Sequence, residues 1–510
     1  MPSRYIKKIL AANIYDLAKE TPVDRAKGLS TRLQNNVLIK REDLQPVFSF
    51  KLRGAYNCLQ NLSSAEQALG VVTASAGNHA QGLALAAQHM GVGATIVMPI
   101  TTPEIKVNAV RSFGATVVLQ GDSFPEAYAH SLKLIEEHGY VYVHPFDNDD
   151  VIAGQGTVAV ELIRQIPDMH AVFIPVGGGG LMAGMAVYLK YLNPDIKVIG
   201  VEPEDAACLK AALEAGERVV LPEIGLFADG VAVAQIGERN FAIAKDFVDD
   251  VITVTTDEMC AAIKDLYDDT RAITEPAGAC SVAGLKKYVA QQQVADQNLV
   301  AIASGANVNF DRLRHVAERA EIGEQREAII AAMIPERPGS FKTFCQALGN
   351  RNVTEFNYRY ADQQSAQVFV GVQLMANGGG RDELMAELSA AGIQAQDLSD
   401  NEMAKIHIRY MVGGHAKVND EVVYRFTFPE RPGALLNFLN KLGHNWNITM
   451  FHYRNHGNAY GRVLVGLQVT PDDKARLMGY LDELGYAFHE ETENPAYQLF
   501  LSPSAADYNG

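Results

Sequence analysis

Between residues 71 and 119, short apolar runs alternate with longer amphipathic stretches: VVTAS, a helix-like segment at 80–89, ATIVMP, a second such segment at 105–113, then ATVVL. Strand followed by helix at this pace predicts a parallel sheet with crossover helices. The alternation returns in AVFIPV at 171–176, a helix-like 181–191, KVIGVEP at 197–203 and NLVAIASGAN at 298–307. Several of these strands end in small or polar residues, where open α/β sheets place their ligands. Residues 1–320 therefore read as an α/β catalytic region of two lobes with a cleft between them. The smaller lobe, about 60–150, is inserted in the larger.

The pattern changes after Asn309. RLRHVAERAEIGEQREA reads as a charged amphipathic helix or linker, and AIIAAMI as a new strand. IPERPGSFKTFCQALG at 334–349 is then echoed by FPERPGALLNFLNKLG at 428–443, and VFVGVQL at 368–374 by VLVGLQV at 463–469. Such a repeat predicts two similar modules, 321–415 and 416–510. Each reads strand, Pro-Gly turn, helix, two strands, helix, strand, an α+β split βαβ arrangement with an antiparallel sheet covered by helices.

Composition narrows the function. A 510-residue chain with 48% apolar and 20% charged residues is compact rather than disordered or fibrous. Its 44 basic and 60 acidic residues give a net charge of −16, which disfavours nucleic acid or an anionic membrane as partner and leaves room for a local basic pocket. The five cysteines are scattered without a CxxC pair, so neither a disulfide framework nor a zinc knuckle is expected. Charges interrupt the apolar N-terminal positions and no run of about 18 apolar residues occurs, so a cytoplasmic location with no membrane span is expected.

The chemistry gathers at four places. In SFKLRGA, Ser49 is placed to cap a helix whose first turn carries Lys51; alone, Lys51 reads as a lysine on a solvated helix face, and only the neighbouring motifs give it chemistry. In TASAGNHAQG, Asn78 and His79 stand at a strand-to-helix turn suited to holding a carboxylate or a hydroxyl, or to plain capping. In PVGGGGLMAG, the consecutive Gly177, Gly178, Gly179 and Gly180 carry a large entropic cost that contact between free amides and a phosphate would offset; a flexible hinge is the alternative. The loop is neither a Walker sequence nor a clean GxGxxG, which favours a phosphate other than that of a nucleotide. In IASGANVN, Ser304 ends an apolar strand, where it is able to meet a heteroaromatic nitrogen or simply to form a turn. A phosphate cradle, a lysine able to form an imine and a polar strand-end residue together point to pyridoxal 5'-phosphate.

With SFKLRGA, SAGNHAQG, the GGGGL loop and SGAN in this order, and over essentially the whole chain, the sequence resembles the biosynthetic threonine deaminases. These are ammonia-lyases of fold-type II, the pyridoxal-phosphate enzymes related to the tryptophan synthase β subunit. The resemblance implies that Lys51 carries the cofactor and, once freed, takes the Cα proton, while Phe50 lies against the cofactor. It further implies that Asn78 contacts the ring hydroxyl, that the amides of Gly177, Gly178, Gly179, Gly180 and Leu181 hold the phosphate, and that Ser304 faces the ring nitrogen. Ser75, Gly77, Asn78 and His79 then belong to the loop that grips the substrate carboxylate. The implied reaction is dehydration and deamination of L-threonine to 2-oxobutanoate and ammonia, the committed step of isoleucine biosynthesis, with L-serine as secondary substrate. Serine racemases of this family are similar at SSGNH and use the second serine as a base; this chain has Ala76, which is unable to shuttle a proton. Some relatives bind a cation near a segment similar to FADGV, which makes Asp229 either a metal ligand or a surface-turn residue.

The paired PERPG turns resemble the ligand-facing loops of ACT-like regulatory modules. Arg337, Pro338, Gly339, Arg431, Pro432 and Gly433 are the candidate effector residues, joined by Tyr358 and Tyr453 on the strands that follow. Those tyrosines read equally as alternating core positions. The resemblance implies inhibition by isoleucine, opposition by valine, and a homotetramer. A serine-preferring or other β-elimination or β-replacement lyase of the same fold, and a non-catalytic amino-acid sensor, stay open. A scaffold built on the repeats leaves the glycine loop without a purpose.

Overall fold

The computed structural model describes residues 2–121, 123–310, 312–335, 337, 339–349, 351–359, 365–374, 380–401, 404–405, 418–429, 436, 438–440, 446–454, 460–484, 486–494, 497 and 501. The chain divides into two compact units, residues 1–323 and 324–510.

The first unit contains strands β1 (Val23–Arg25), β2 (Asn36–Arg41), β3 (Val71–Ala74), β4 (Ala94–Met98), β5 (Thr116–Leu119), β6 (Val141–Tyr142), β7 (Ala171–Pro175), β8 (Lys197–Pro203), β9 (Asp250–Val254) and β10 (Asn298–Ala303). They form two sheets, a six-stranded one ordered β1-β2-β10-β7-β8-β9 and a four-stranded one ordered β5-β4-β3-β6. All neighbours are parallel except β1 and β2. Every residue of β3, β4 and β7 is buried, as expected of parallel strands covered on both faces.

The helices that position the site are α1 (Lys51–Gln60), α2 (Asn78–Met90), α3 (Phe124–His138), α4 (Asp149–Gln165), α5 (Gly180–Leu192), α6 (Cys208–Ala215), α7 (Pro276–Gln292) and α8 (Arg312–Gly323). α1 packs on α2, which follows a strand of the small sheet, and also on α4. Behind α1 lies a wholly buried quartet of charges. Arg53 bonds both oxygens of Glu42, each at 2.7 Å, and both of Glu161 at 2.5 and 3.0 Å, while Lys40 bonds Glu161 at 2.6 Å.

The second unit contains β11 (Glu327–Pro335), β12 (Val353–Arg359), β13 (Ser365–Gln373), β14 (Gln394–Asp397), β15 (Glu421–Pro429), β16 (Asn447–Arg454), β17 (Tyr460–Gln468) and β18 (Ala487–Glu490), with helices α9 (Ser340–Ala347), α10 (Arg381–Ala390) and α11 (Lys474–Leu484). Instead of a separate sheet in each repeat, one antiparallel eight-stranded sheet runs β14-β11-β13-β12-β16-β17-β15-β18. The repeats join where β12 pairs with β16, in the register Phe356↔Tyr453, Asn357↔His452, Tyr358↔Phe451. Among the described residues no helix is long and apolar enough to cross a membrane.

Candidate active site

A cavity of about 640 Å³ in the first unit is lined by Phe50, Lys51, Ser75, Gly77, Asn78, His79, the Gly177–Leu181 loop and Ser304, and so brings together the residues singled out above. Lys51 is the first residue of α1, but Ser49 does not cap that helix. Phe50 occupies the cap position, and the Ser49 backbone instead bridges to Gly305. Phe50 N–H donates to Ser304 O at 3.2 Å and Ala306 N–H to Phe48 O at 2.9 Å, so the approach to Lys51 is stitched to the end of β10. From the other side, α2 closes in at Gly82, where a Cβ would lie 3.0 Å from Leu52 N and 3.1 Å from Lys51 C. Lys51 Nζ donates to Pro145 O at 3.0 Å. Burial brings its pKa down to about 8, with the charge of Glu275 acting in the opposite sense.

The Asn-His turn falls where the sequence places it, between β3 and α2. His79 Nε2 lies 3.1 Å from Val143 O, and because a carbonyl accepts only, Nε2 carries the proton. Nδ1 is then a bare, buried acceptor without a partner. Burial and the nearby Lys51 press the imidazole pKa down to about 3, so the ring is neutral. The neutral side chain offers no donor to a carboxylate; the backbone amides at the start of α2 do.

In the glycine loop the carbonyls are taken up by surrounding protein. Gly177 O accepts from Cys208 Sγ at 3.5 Å, Gly178 O from Asn240 Nδ2 at 2.6 Å and from Gly237 N, and Gly179 O from Ala183 N. The first amides of α5 have no partner within the helix, which leaves the N–H side of the loop for the cavity. A side chain at Gly178 would overlap the Phe146 ring, and Gly179 has φ +89°. The run of glycines is therefore required by close packing as well as by any bound anion, and it is not a hinge. Ser304 is buried at the end of β10, its hydroxyl 3.3 Å from Ala277 O.

Sequence reasoning missed Glu275, the residue that caps α7 just before Pro276. A Glu-Pro helix start is a common signal that does not reveal a buried acid. Its carboxylate accepts from Asn78 Nδ2 at 2.5 Å, and burial, followed by the charge of Asp229, raises its pKa to about 7. Phe146 and Pro145, from an unremarkable HPFD, were missed for the same reason. Asp229 pairs with Lys106 at 2.5 Å and Arg312 at 3.7 Å, which fits the turn reading. Among the described residues no group of acids, histidines and cysteines is arranged to hold a metal.

In the second unit Arg337 is exposed, and Gly339, at φ +90°, caps α9. Pro338, Arg431, Pro432 and Gly433 lie outside the described residues. Tyr358 and Tyr453 are each 3% exposed within the apolar core.

Residues 14–305 match the pyridoxal-phosphate dependent enzyme family, and residues 318–408 and 412–501 match the C-terminal regulatory domain of threonine dehydratase. Over 503 residues the chain is 55% identical to L-threonine dehydratase biosynthetic IlvA of Burkholderia multivorans, covering 98% of this chain and 99% of that protein. The protein of the same name from Escherichia coli is 53% identical over 504 residues, covering 98% and 97%. Among solved structures, the processed form of threonine deaminase isoform 2 from Solanum lycopersicum superposes with a TM-score of 0.62 at 52% identity, covering 62% of this chain and 93% of that one. Maize serine racemase superposes with a TM-score of 0.58 at 32% identity, covering 62% and 96%. The chain therefore belongs to the pyridoxal-phosphate-dependent enzymes, among the biosynthetic threonine dehydratases that carry a duplicated C-terminal regulatory domain.

Proposed function

We propose that the protein is a threonine ammonia-lyase that converts L-threonine to 2-oxobutanoate and ammonia, with Lys51 as its catalytic amine. The observation that carries the reading is that Lys51 and the Gly177–Leu181 loop line one cavity together with Asn78 and Ser304. That donor set fits pyridoxal phosphate: a tight glycine cradle in which a Cβ would collide, an amine in the same cavity and a buried hydroxyl. When bound, the cofactor supplies the electron sink for the charge left at Cα.

The chain's own residues do the rest. The amides of Gly177, Gly178, Gly179, Gly180 and Leu181 hold the phosphate, Phe50 lies beside the ring, Asn78 meets its hydroxyl and Ser304 its nitrogen. Amides of the Ser75–His79 turn receive the substrate carboxylate at the start of α2. Lys51, with a pKa near 8, is unprotonated often enough near neutrality to take the Cα proton and can return one to the departing hydroxyl. Ala76 supplies no second base on the other face, which favours elimination over racemisation.

The two C-terminal modules carry feedback control by isoleucine, opposed by valine, in a cytoplasmic homotetramer. An effector does this by binding one of two global states more tightly. Threonine turnover measured with and without isoleucine tests both parts. We expect 2-oxobutanoate formation that isoleucine depresses, loss of both turnover and the protein-bound visible absorbance in Lys51→Ala, and turnover without isoleucine response in a chain ending at Gly323. Fast serine elimination beside negligible threonine turnover would favour the serine-preferring alternative, and inhibition that persists in the shortened chain would remove the modules from the account.

A further inference from the structure

We propose that Glu275 is a positioning residue for this reaction: with Asn307 it fixes the side-chain amide of Asn78 so that one Nδ2–H faces the cavity, which Glu275 itself lines together with Lys51. The inference rests on the function proposed above and assigns a role to a residue outside the recognised motifs.

The Asn78 amide is held at both ends. Its Oδ1 accepts from Asn307 Nδ2 at 2.7 Å, and its Nδ2 donates to Glu275 Oε1 at 2.5 Å. Asn307 is itself oriented, because its Nδ2 also donates to Val47 O at 2.9 Å and two oxygen acceptors leave no room for a flip. Turning the Asn78 amide over would set its oxygen against the Glu275 carboxylate and its nitrogen against the Asn307 donor, replacing two hydrogen bonds with two repulsions. The second Nδ2–H of Asn78 is thus the one left to offer. Asn78 lines the cavity, and the acceptor such an N–H suits is the ring oxygen of the cofactor.

The fold makes space for this acid. A Cβ on Gly305 would overlap Glu275 Oε1, so the segment after β10 keeps a glycine where the carboxylate sits. The charged groups that face it are Asp229, which raises its pKa, and Lys106, which lowers it; Arg312 reaches it through its pair with Asp229, and the Asn307 backbone amide donates to it. Across the cavity its charge favours the ammonium form of Lys51 against the effect of burial. Substituting Glu275 by Gln removes that charge and offers the Asn78 amide a donor as well as an acceptor, so only Asn307 still opposes the flipped amide.

Two readouts separate the two arms. In cofactor-free enzyme, acetylation of Lys51 by acetic anhydride, followed by mass spectrometry across the neutral-to-alkaline range, reports the pH at which the amine becomes reactive. Glu275→Gln should lower that pH by about one unit. Asn307→Ala, which frees the other end of the amide and changes no charge, should leave it in place. In the holoenzyme both variants should shift the absorbance maximum of the lysine-bound cofactor and lower kcat about tenfold with KM for threonine little changed. Glu275→Ala, which also removes the charge, covers the charge arm if the Gln variant does not fold. Wild-type labelling pH, absorbance and kcat in both variants, with at most a lower Tm, would overturn the proposal. A wild-type protein lacking visible absorbance that Lys51→Ala abolishes would instead overturn the function on which it rests.

Discussion

Arg53→Met is the sharpest test of how the fold holds Lys51, two residues away on α1. In the native protein the guanidinium makes six hydrogen bonds, to Glu42 at 2.7 and 2.7 Å, to Glu161 at 2.5 and 3.0 Å, and to Thr157 Oγ1 and Lys19 O at 3.1 Å each. Arg53, Lys40, Glu42 and Glu161 balance at zero net charge, and all four side chains are fully buried. The methionine leaves two buried carboxylates facing one ammonium, a change that costs about 3–5 kcal/mol. With an unfolding entropy of roughly 2 cal/mol/K per residue over the 323-residue unit, that is a drop in Tm of about 4–7 °C. Far-UV circular dichroism should show it. The single tryptophan, Trp446, lies in the other unit, so a change confined to its fluorescence would place the damage wrongly and refute the reasoning.

The pH dependence gives a second check on that substitution. Burial alone would raise the Glu42 pKa, but the charge and hydrogen bonds of Arg53 outweigh it and hold the group below its ordinary 4.5. In the wild type Glu42 therefore contributes stability above that ordinary value, lost as the pH falls through the lower folded value. Without Arg53 the same carboxyl resists ionisation, so the deficit should be largest near neutrality and shrink toward pH 5. Arg53→Met combined with Glu42→Gln leaves one buried pair, Lys40 with Glu161, and should recover about half of the loss. A single variant that loses under about 1 kcal/mol, or a double variant less stable than the single, would show that the quartet does not hold α1 in this way.

Glu275 should leave the opposite signature. Its folded pKa, raised by burial to about 7 from 4.5, means that the folded protein binds the extra proton, so its contribution is intact below 4.5 and is lost as pH climbs toward 7. Urea titrations should find Glu275→Gln gaining on wild type by about 3 kcal/mol across that interval, and a flat difference would contradict the assignment. Gly178→Ala puts a methyl group where the Phe146 ring packs, so either the ring or the backbone of the phosphate cradle must give way. Cofactor affinity should fall about tenfold, measured by reconstitution after dialysis, and adding Phe146→Ala should restore much of it; no rescue would mean that the loop backbone itself is displaced.

Much of the fold was legible because its signals are local. The strand-helix alternation of residues 71–119 became β3, α2, β4 and β5, and the linker before AIIAAMI became α8 followed by β11. The four motifs of the site were legible for the same reason, each sitting at a strand end or helix start with its own composition. What escaped was long-range. The Ser49 cap failed because strand-like pairing with residues 304–306 claims that backbone, a competition no local window contains. Glu275 is silent in sequence because its meaning depends on Asn78, 197 residues away. His79 was placed correctly, yet the direction of its hydrogen bond, which excludes its ring as a carboxylate donor, depends on a carbonyl 64 residues distant.

The merging of the two repeats into one sheet follows from the same kind of long-range demand. Alone, each module would end its sheet in a strand of 7 or 8 residues, β12 or β16, with unpaired backbone groups. Pairing them removes both edges and leaves the four-residue β14 and β18 outermost. The strand order is consequently palindromic, and polar details repeat with it. Thr354 bonds Glu327 as Thr449 bonds Glu421, and Ser399 accepts from the Ile329 amide as Thr492 does from Val423. Tyr358 and Tyr453 flank the centre of the palindrome as core residues, so an effector that touched them would first have to enter that core. At the turns the symmetry stops. Ser340, buried with its hydroxyl unpartnered, follows the first PERPG, whereas Ala434 follows the second. A ligand bonded to position 340 would meet a methyl group at its counterpart, so the pairing that builds the sheet does not make the two turns equivalent sites.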